Sequence, residues 1–136
     1  MEKTLKQGLT ATERITIDAS RTITFMGEDL RVYSTPSMVL DIERLCKKLL
    51  DKHLDKTESS VGTRVEINHL GATLINMWVD IEIFIKEIDR RRILFEVEIQ
   101  DQVGDKVGEC LHTRFVVDLE RQKKRLDSKR AKLETN

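Results

Sequence analysis

The sequence has little proline, few aromatic residues and no net charge. Among its 136 residues there is one proline, and phenylalanine, tryptophan and tyrosine together make up 4%. Its 24 basic residues balance 24 acidic ones. A neutral chain lacks the broad basic surface that nucleic-acid binding requires. The composition therefore argues against a nucleic-acid partner.

Long apolar runs and cysteine motifs are also missing. No apolar stretch approaches the length of a membrane span, and the N-terminus has no apolar signal segment. Cys46 and Cys110 lie at unrelated positions and form no metal-binding spacing. We therefore expect a cytoplasmic protein with no membrane partner, no metal and no cofactor of its own. The length predicts one domain, with a core over about residues 5–120 and a basic tail over 121–136.

The single proline marks the start of the most informative element. Thr35 is a favoured helix cap and Pro36 suits a first helical position, so we predict a helix over residues 36–54. Apolar residues recur along it at helical spacing, and Asp41 is assigned to the opposite, charged half. Glu43 is the exception, because it projects into the apolar arc toward its edge. It is either a boundary carboxylate that reaches solvent or a functional group in a partly buried site.

The remaining segments alternate between apolar and polar residues, as strands do. Strands are predicted at 13–18 and 22–25 before the helix, and at 61–69, 75–86, 93–100 and 107–119 after it, while residues 1–11 are expected to be a loose lead-in. Short links between the last four strands predict antiparallel neighbours. One amphipathic helix must cover the apolar face of this sheet. We therefore predict an α+β domain with the hot-dog fold, a curved antiparallel sheet wrapped around one long central helix.

The edges of so small a sheet favour a homodimer formed by edge pairing, and the sequence leaves open whether dimers pair into tetramers. Alternation assigns His69 to the helix-facing side of its strand. In the last strand it separates Leu111 and Phe115 from His112, which shares the less apolar side with Arg114. We interpret His112 as a structural residue.

Thr35, Glu43 and His69 are the candidates for chemistry, since the predicted fold lets them converge near the helix N-terminus. A hydroxyl, a carboxylate and an imidazole suit acyl transfer, with the imidazole as general base and acid. Backbone N–H groups at the helix N-terminus would stabilise an oxyanion. Each residue also has a structural interpretation: Thr35 can be a cap and His69 a satisfied side chain at a strand end.

Three separated blocks of sequence then carry a resemblance. They read VYSTPSMVLDIE over 32–43, SVGTRVEINH over 60–69 and GECLHTRFVV over 108–117. Together they resemble the fluoroacetyl-CoA thioesterase-like branch of the hot-dog superfamily, over about residues 5–125. The resemblance implies hydrolysis of an acyl-CoA thioester by a homodimer, with coenzyme A entering as part of the substrate.

The resemblance also implies roles for individual residues. Thr35, Glu43 and His69 match the catalytic set of the family, and Gly62 and Arg114 match its substrate-binding residues. Three departures modify the expectation. The fluoroacetyl specialist has aromatic residues in the loop before the helix, whereas the stretch 28–33 contains only Tyr33, so another acyl-CoA is expected here. Asn76 and Cys110 stand where the family has glycine, and both are expected to reshape the rim of the pocket.

Two other functions fit the same fold. One is a non-catalytic module that binds acyl-CoA or an acyl carrier, and the other is a dehydratase that adds water to an enoyl-CoA without releasing thiol. The tail also has two interpretations. From Glu120 to Glu134 it carries seven basic and three acidic residues, a net charge of +4. It is either a solvated, partly helical terminus or an arm that attracts the phosphates of coenzyme A.

Overall fold

The computed structural model describes residues 1–135. The strands are β1 (Thr10–Thr16), β2 (Thr22–Ile23), β3 (Val32–Tyr33), β4 (Glu58–His69), β5 (Trp78–Asp89), β6 (Arg92–Asp101) and β7 (Lys106–Asp118). The helices are α1 (Thr35–Asp51) and α2 (Leu119–Glu134), and two short 3-10 turns, Ala19–Arg21 and Glu28–Leu30, flank β2. Neither α1 nor α2 is long and apolar enough to cross a membrane.

Five strands form one sheet in the order β1-β5-β6-β7-β4, and every neighbouring pair is antiparallel. The apolar face of α1 and the inner face of the sheet form one core. Its fully buried members include Met38 and Ile42 from α1 and Ile81, Ile83 and Phe95 from β5 and β6. The hot-dog fold predicted from the alternation is confirmed, since the sheet has one helix with which to bury its apolar face.

Helix α1 starts one residue earlier than predicted and ends at Asp51 rather than at residue 54. Its cap is Ser34, not Thr35. Ser34 has extended backbone, and its hydroxyl accepts a hydrogen bond from the N–H of Ser37 at 3.2 Å. Because Ser34 satisfies the helix end, the hydroxyl of Thr35 is available for another partner.

The lead-in is more ordered than predicted. Strand β1 already begins at Thr10, and Leu5 belongs to the buried core. Upstream of β1, the N–H of Gly8 donates to the carbonyl of Ile85, and the N–H of Ile85 donates to the carbonyl of Leu9. The lead-in therefore extends the pairing of β1 along β5. The sequence does not reveal this, because residues 1–11 lack the apolar alternation of a strand.

The facing of β4 and β7 also differs from the prediction. The register between the two strands shifts between Gly62 and Arg64, so a bulge interrupts the alternation of β4. Gly62 lies over α1, while Val61 is exposed. On β7 the helix-facing side is the one that carries His112 and Arg114, both of them buried.

Alternation misassigned β7 because its outward face is also apolar. Phe115 is 42% exposed and Leu111 is half-buried, whereas their polar neighbours His112 and Arg114 are buried. If apolar residues are assumed to face the core, the two faces of such a strand are interchanged, because its apolar residues point outward and its polar residues point inward.

Asn76 lies in the turn before β5, with a φ of 72°. This left-handed conformation favours glycine, and asparagine is one of the few other residues that adopt it readily. Asn76 therefore supports the turn that a glycine at this position would also allow. Residues 75–77 belong to that turn, so β5 begins at Trp78 rather than at the predicted Ile75.

The basic tail forms a solvated helix that ends at Glu134, in agreement with the first of its two interpretations. Asp118 caps α2 by accepting a hydrogen bond from the N–H of Arg121 at 3.0 Å. The helix extends from the end of β7, and its leucines Leu126 and Leu133 are exposed. The helix therefore presents its charge to solvent along its whole length.

Candidate active site

The hydroxyl of Thr35 and the imidazole of His69 meet at the N-terminus of α1. Thr35 Oγ1 and His69 Nδ1 are 2.8 Å apart, a hydrogen bond between the helix and the end of β4. The edge of Tyr33 packs against the imidazole, with ring centroids 6.3 Å apart and planes at 73°. The predicted contact between the helix start and His69 is thereby confirmed. A hydroxyl held against an imidazole is the arrangement of a nucleophile and its base.

His69 is half-buried, and this lowers the pKa of its imidazole because desolvation disfavours the charged ring. A backbone hydrogen bond at Gly71 acts in the opposite direction and is the smaller effect. The ring is therefore neutral at neutral pH and can accept a proton.

An open cavity of 390 Å³ lies beside this pair. Its wall is mostly apolar, with Thr35 and His69 as the groups that carry chemistry. The other lining residues are Ile23, Val32, Tyr33, Leu70, Gly71 and Ala72. An apolar cleft with a few polar groups is typical of a site for a small organic ligand.

A buried polar network supports Tyr33 from behind. The hydroxyl of Tyr33 donates to Asp41 at 2.6 Å, and Arg21 forms two hydrogen bonds with the same carboxylate, at 3.0 and 3.2 Å. Asp41 is only 4% exposed, so its predicted place on the charged half of α1 is wrong. Arg21 supplies the partner that makes its burial tolerable. The network anchors the ring that packs against His69.

Glu43 lies two turns further along α1 and has a different set of neighbours. Its Oε2 is 3.5 Å from Nη1 of Arg114 on β7. A Cβ placed on Gly62 would lie 2.9 Å from the same oxygen, so any larger residue there would require the carboxylate to move. The side chain of Glu43 is 38% exposed and that of Arg114 is 5% exposed. Glu43, Gly62 and Arg114 thus form one cluster, although Arg114 appeared to face away.

The predicted set is therefore divided into two parts within one chain. Thr35 and His69 form one part, and Glu43 with Gly62 and Arg114 forms the other. Among residues 1–135, no hydrogen bond or ion pair joins Glu43 to Thr35 or to His69. Nor does that part of the chain contain a group of three or more His, Cys, Asp or Glu side chains that could hold a metal ion.

Sequence reasoning missed the residues that support the candidates. Ser34, the true cap, stands directly before the expected one and is an equally good cap residue. Asp41 was missed because its partner Arg21 is distant in sequence. His112 was missed because alternation misassigned its strand. A glycine inside a strand is a known sign of a bulge, and Gly62 was the available signal for the break in β4.

The structure is that of a hot-dog protein: an antiparallel sheet is wrapped around one helix. A hydroxyl and an imidazole are paired at the N-terminus of that helix, beside an apolar cavity. Residues 17–120 match the family described as fluoroacetyl-CoA-specific thioesterase (FlK). The chain belongs to this family.

One relative is similar in sequence, and two solved structures are similar in fold. The fluoroacetyl-CoA thioesterase of Streptantibioticus cattleyicolor is 30% identical over 90 residues, 66% of this chain and 64% of that relative, so the chain spans just under two thirds of its length. A thioesterase superfamily member from Thermus thermophilus superposes with a TM-score of 0.89 at 21% identity, over 98% of this chain and 99% of its own. The structure of the fluoroacetyl-CoA thioesterase FlK superposes with a TM-score of 0.82 at 23% identity, over 93% and 98%.

Proposed function

We propose that this protein hydrolyses an acyl-CoA thioester to a free acid and coenzyme A. The observation that carries the proposal is the hydrogen bond between Thr35 Oγ1 and His69 Nδ1 at the mouth of an apolar cavity. Membership in a thioesterase family also supports it. In addition, the site contains a hydroxyl and an imidazole, the groups that this reaction needs. The acyl group would enter the cavity, and the nucleotide end of coenzyme A would remain outside.

The proton transfers follow from the position of His69. Its neutral imidazole takes a proton from the attacking group, either water or the hydroxyl of Thr35, as a new C–O bond forms at the thioester carbonyl. When the C–S bond breaks, the imidazolium returns the proton to the departing sulfur. If Thr35 attacks, the acyl ester is then hydrolysed by a water that His69 activates in the same way.

The carbonyl oxygen needs a hydrogen-bond donor as it becomes negative. In the first turn of α1, Pro36 has no N–H. The N–H of Ser37 donates to the hydroxyl of Ser34, and the N–H of Met38 donates to the carbonyl of Ser34. Of the N–H groups in this turn, that of Thr35 is the one that has no partner among the described residues. It therefore supplies the donor, and the positive end of the helix dipole adds to its effect.

We further propose that the functional unit is a homodimer. Strand β4 lies at an edge of the sheet, and Val61 and Val65 on it are more than a third exposed. Antiparallel pairing of two β4 strands would place the first half of one strand beside the second half of the other. Glu43, beneath Gly62, would then lie near Thr35 and His69 of the second copy. The two parts of the site would form one unit across the dimer.

The substrate is expected to be an acyl-CoA other than fluoroacetyl-CoA. The loop from Glu28 to Tyr33 offers only Tyr33 as an aromatic residue, and the hydroxyl of Tyr33 is engaged by Asp41. Ile23, Val32 and Leu70 instead give the cavity an aliphatic wall, which suits a larger apolar acyl group.

One observation favours a second function, a module that binds acyl-CoA without turnover. Glu43 contacts Arg114 rather than His69, as a purely structural ion pair would. In that case the cavity would bind the acyl group, and the hydroxyl–imidazole pair would only contact it.

Release of free thiol from a panel of short, branched, aromatic and long acyl-CoAs separates the two functions. We expect turnover of at least one member by the wild-type protein, and about 10²-fold or more slower turnover by Glu43→Gln, the range for loss of a group that stabilises the transition state electrostatically. Glu82→Gln is the matched control, because Glu82 is exposed on β5, away from the edge strand β4. Tight binding across the panel with no thiol released would favour the binding module. Near-full activity of Glu43→Gln would exclude Glu43 from the site.

A further inference from the structure

His112 is a fully buried polar residue that the proposed reaction does not use. It lies on β7 with its ring stacked on Phe95, at 6.4 Å between centroids and 24° between planes. Burial lowers the pKa of the imidazole and outweighs the hydrogen bond with the backbone of Arg64, which raises it; the neighbouring charge of Arg114 also lowers it. The ring is therefore neutral, with one nitrogen that carries hydrogen and one that accepts.

The hydrogen bonds of His112 identify which nitrogen is which. Nδ1 lies 2.8 Å from the backbone carbonyl of Arg64, and a carbonyl can only accept, so we assign the hydrogen to Nδ1. Nε2 is then an acceptor. It lies 3.2 Å from Nη1 of Arg114, which can only donate.

The same guanidinium is held from its other side by Ser60 on β4. Nε of Arg114 donates to the hydroxyl of Ser60 at 2.9 Å, and Nη2 donates to the carbonyl of Ser60 at 3.0 Å. Ser60 fixes one edge of the planar group, and His112 fixes the remaining nitrogen. Because the guanidinium is buried, rotating it would leave donors without acceptors.

The second hydrogen of Nη1 points toward Oε2 of Glu43, 3.5 Å away in the space that Gly62 leaves open. We propose that His112 is a positioning residue for the reaction: by accepting from Arg114, it fixes the guanidinium that orients the carboxylate of Glu43. The inference rests on the proposed function, since it assigns a purpose to the orientation of Glu43. His112 touches no substrate and acts only through Arg114.

Two substitutions at His112 separate positioning from packing. His112→Leu fills most of the space but removes the acceptor, and we expect kcat to fall about tenfold or more with KM within about twofold, the cost of a slightly misplaced catalytic group. His112→Gln offers an amide oxygen to Arg114 and should recover most of the lost kcat. Val116→Ala is the control, because Val116 is equally buried on the same face and has no polar contact with Arg114. It should lower stability without changing kcat.

The imidazole nitrogens can also be observed directly, without turnover. In the wild-type protein, nitrogen NMR of His112 should show Nδ1 protonated and Nε2 unprotonated at neutral pH. The opposite tautomer, or a charged ring, would overturn the proposal even if the protein were an active thioesterase. So would an unchanged kcat in folded His112→Leu. If His112→Leu does not fold, the test rests on His112→Gln. A kcat about tenfold lower in that variant would also overturn the proposal. Absence of thiol release by the wild type would instead count against the proposed function and leave the NMR test standing.

Discussion

The two parts of the candidate site differ in accessibility and in how firmly they are held. The Thr35–His69 pair lies beside an open cavity, and one hydrogen bond joins its two members. The Arg114 cluster, or closed part, comprises Ser60, His112, Arg114 and Glu43. Its first three members are buried, the side chain of Glu43 is 38% exposed, and four hydrogen bonds hold the guanidinium.

This difference matches what each part must do. A group that accepts a proton must be accessible to the substrate and uncharged at neutral pH. His69 meets both conditions, because burial lowers the pKa of its ring. A charge that only orients or stabilises is most effective when it is fixed before the substrate arrives. Helix α1 contributes to both parts: Thr35 at its N-terminus belongs to the open part, and Glu43, eight residues later, belongs to the closed part.

Loss of the base at the open part should reduce the rate as much as Glu43→Gln does, and more than the variants that follow. His69→Ala takes away the base, and we expect hydrolysis to fall by about 10²-fold or more, as for other general acid–base groups. The measurement is kcat for the best acyl-CoA of the panel.

His53→Ala provides the control for the loss of a histidine. His53 lies just beyond the end of α1 and is hydrogen-bonded to Thr4 at 2.7 Å, away from the cavity. It should retain near-full activity. Equal losses in the two variants would mean that the Thr35–His69 pair is not the reacting part.

A substitution at Gly62 tests the closed part. Gly62→Ala introduces a Cβ 2.9 Å from Oε2 of Glu43 and 3.3 Å from Nη1 of Arg114. We expect the carboxylate to shift and kcat to fall about tenfold, the cost of a misplaced group. Stability should change by less than about 1 kcal/mol, because the close contact is with the movable end of the Glu43 side chain. Kinetics and urea unfolding of the same preparation give both values.

Gly108→Ala is the steric control for that variant. Its Cβ would lie 2.9 Å from the sulfur of Met38, in the apolar core and away from Glu43. It should lose more stability than Gly62→Ala and less kcat, although Gly108 pairs with His69 across the two strands. If both glycine variants keep full kcat, the orientation of Glu43 does not limit the reaction.

The pH dependence of the reaction should report the open part alone. Because burial lowers the pKa of His69, the acid limb of kcat/KM should lie below the ordinary histidine value of about 6.5. Because the pKa of His69 is lower in the folded protein than in the unfolded chain, the folded protein should also lose stability as the pH falls below about 6.5. In that range the unfolded chain binds the proton more readily. An acid limb above about pH 6.5 would contradict a half-buried neutral base.

The fold could be predicted because its evidence is repetitive. Alternation in β5 and β6 and the apolar arc of α1 each extend over many residues, so single exceptions such as Asp41 do not change the result. The contact between Thr35 and His69 also follows from the fold, since a helix N-terminus and the end of the next strand lie together.

The Arg114 cluster could not be predicted, because it depends on a break in the pattern. One bulge beside Gly62 changes which residues of β4 face the helix. The apolar outer face of β7, with Phe115, conceals the buried polar face that carries His112 and Arg114. Each of these polar residues is buried only because a partner from a distant segment satisfies it. A periodic pattern carries no information about such partners.

Mixing two inactive variants tests directly whether the two parts form one site. Glu43→Gln and His69→Ala would be purified separately, combined, and allowed to exchange subunits, with native mass spectrometry to confirm mixed dimers. If Glu43 of one copy serves His69 of the other, each mixed dimer has one intact site. Since about half of the dimers are mixed, thiol release should recover to about a quarter of the wild-type rate. Mixed dimers with no more activity than the separate variants would contradict a site shared across the dimer.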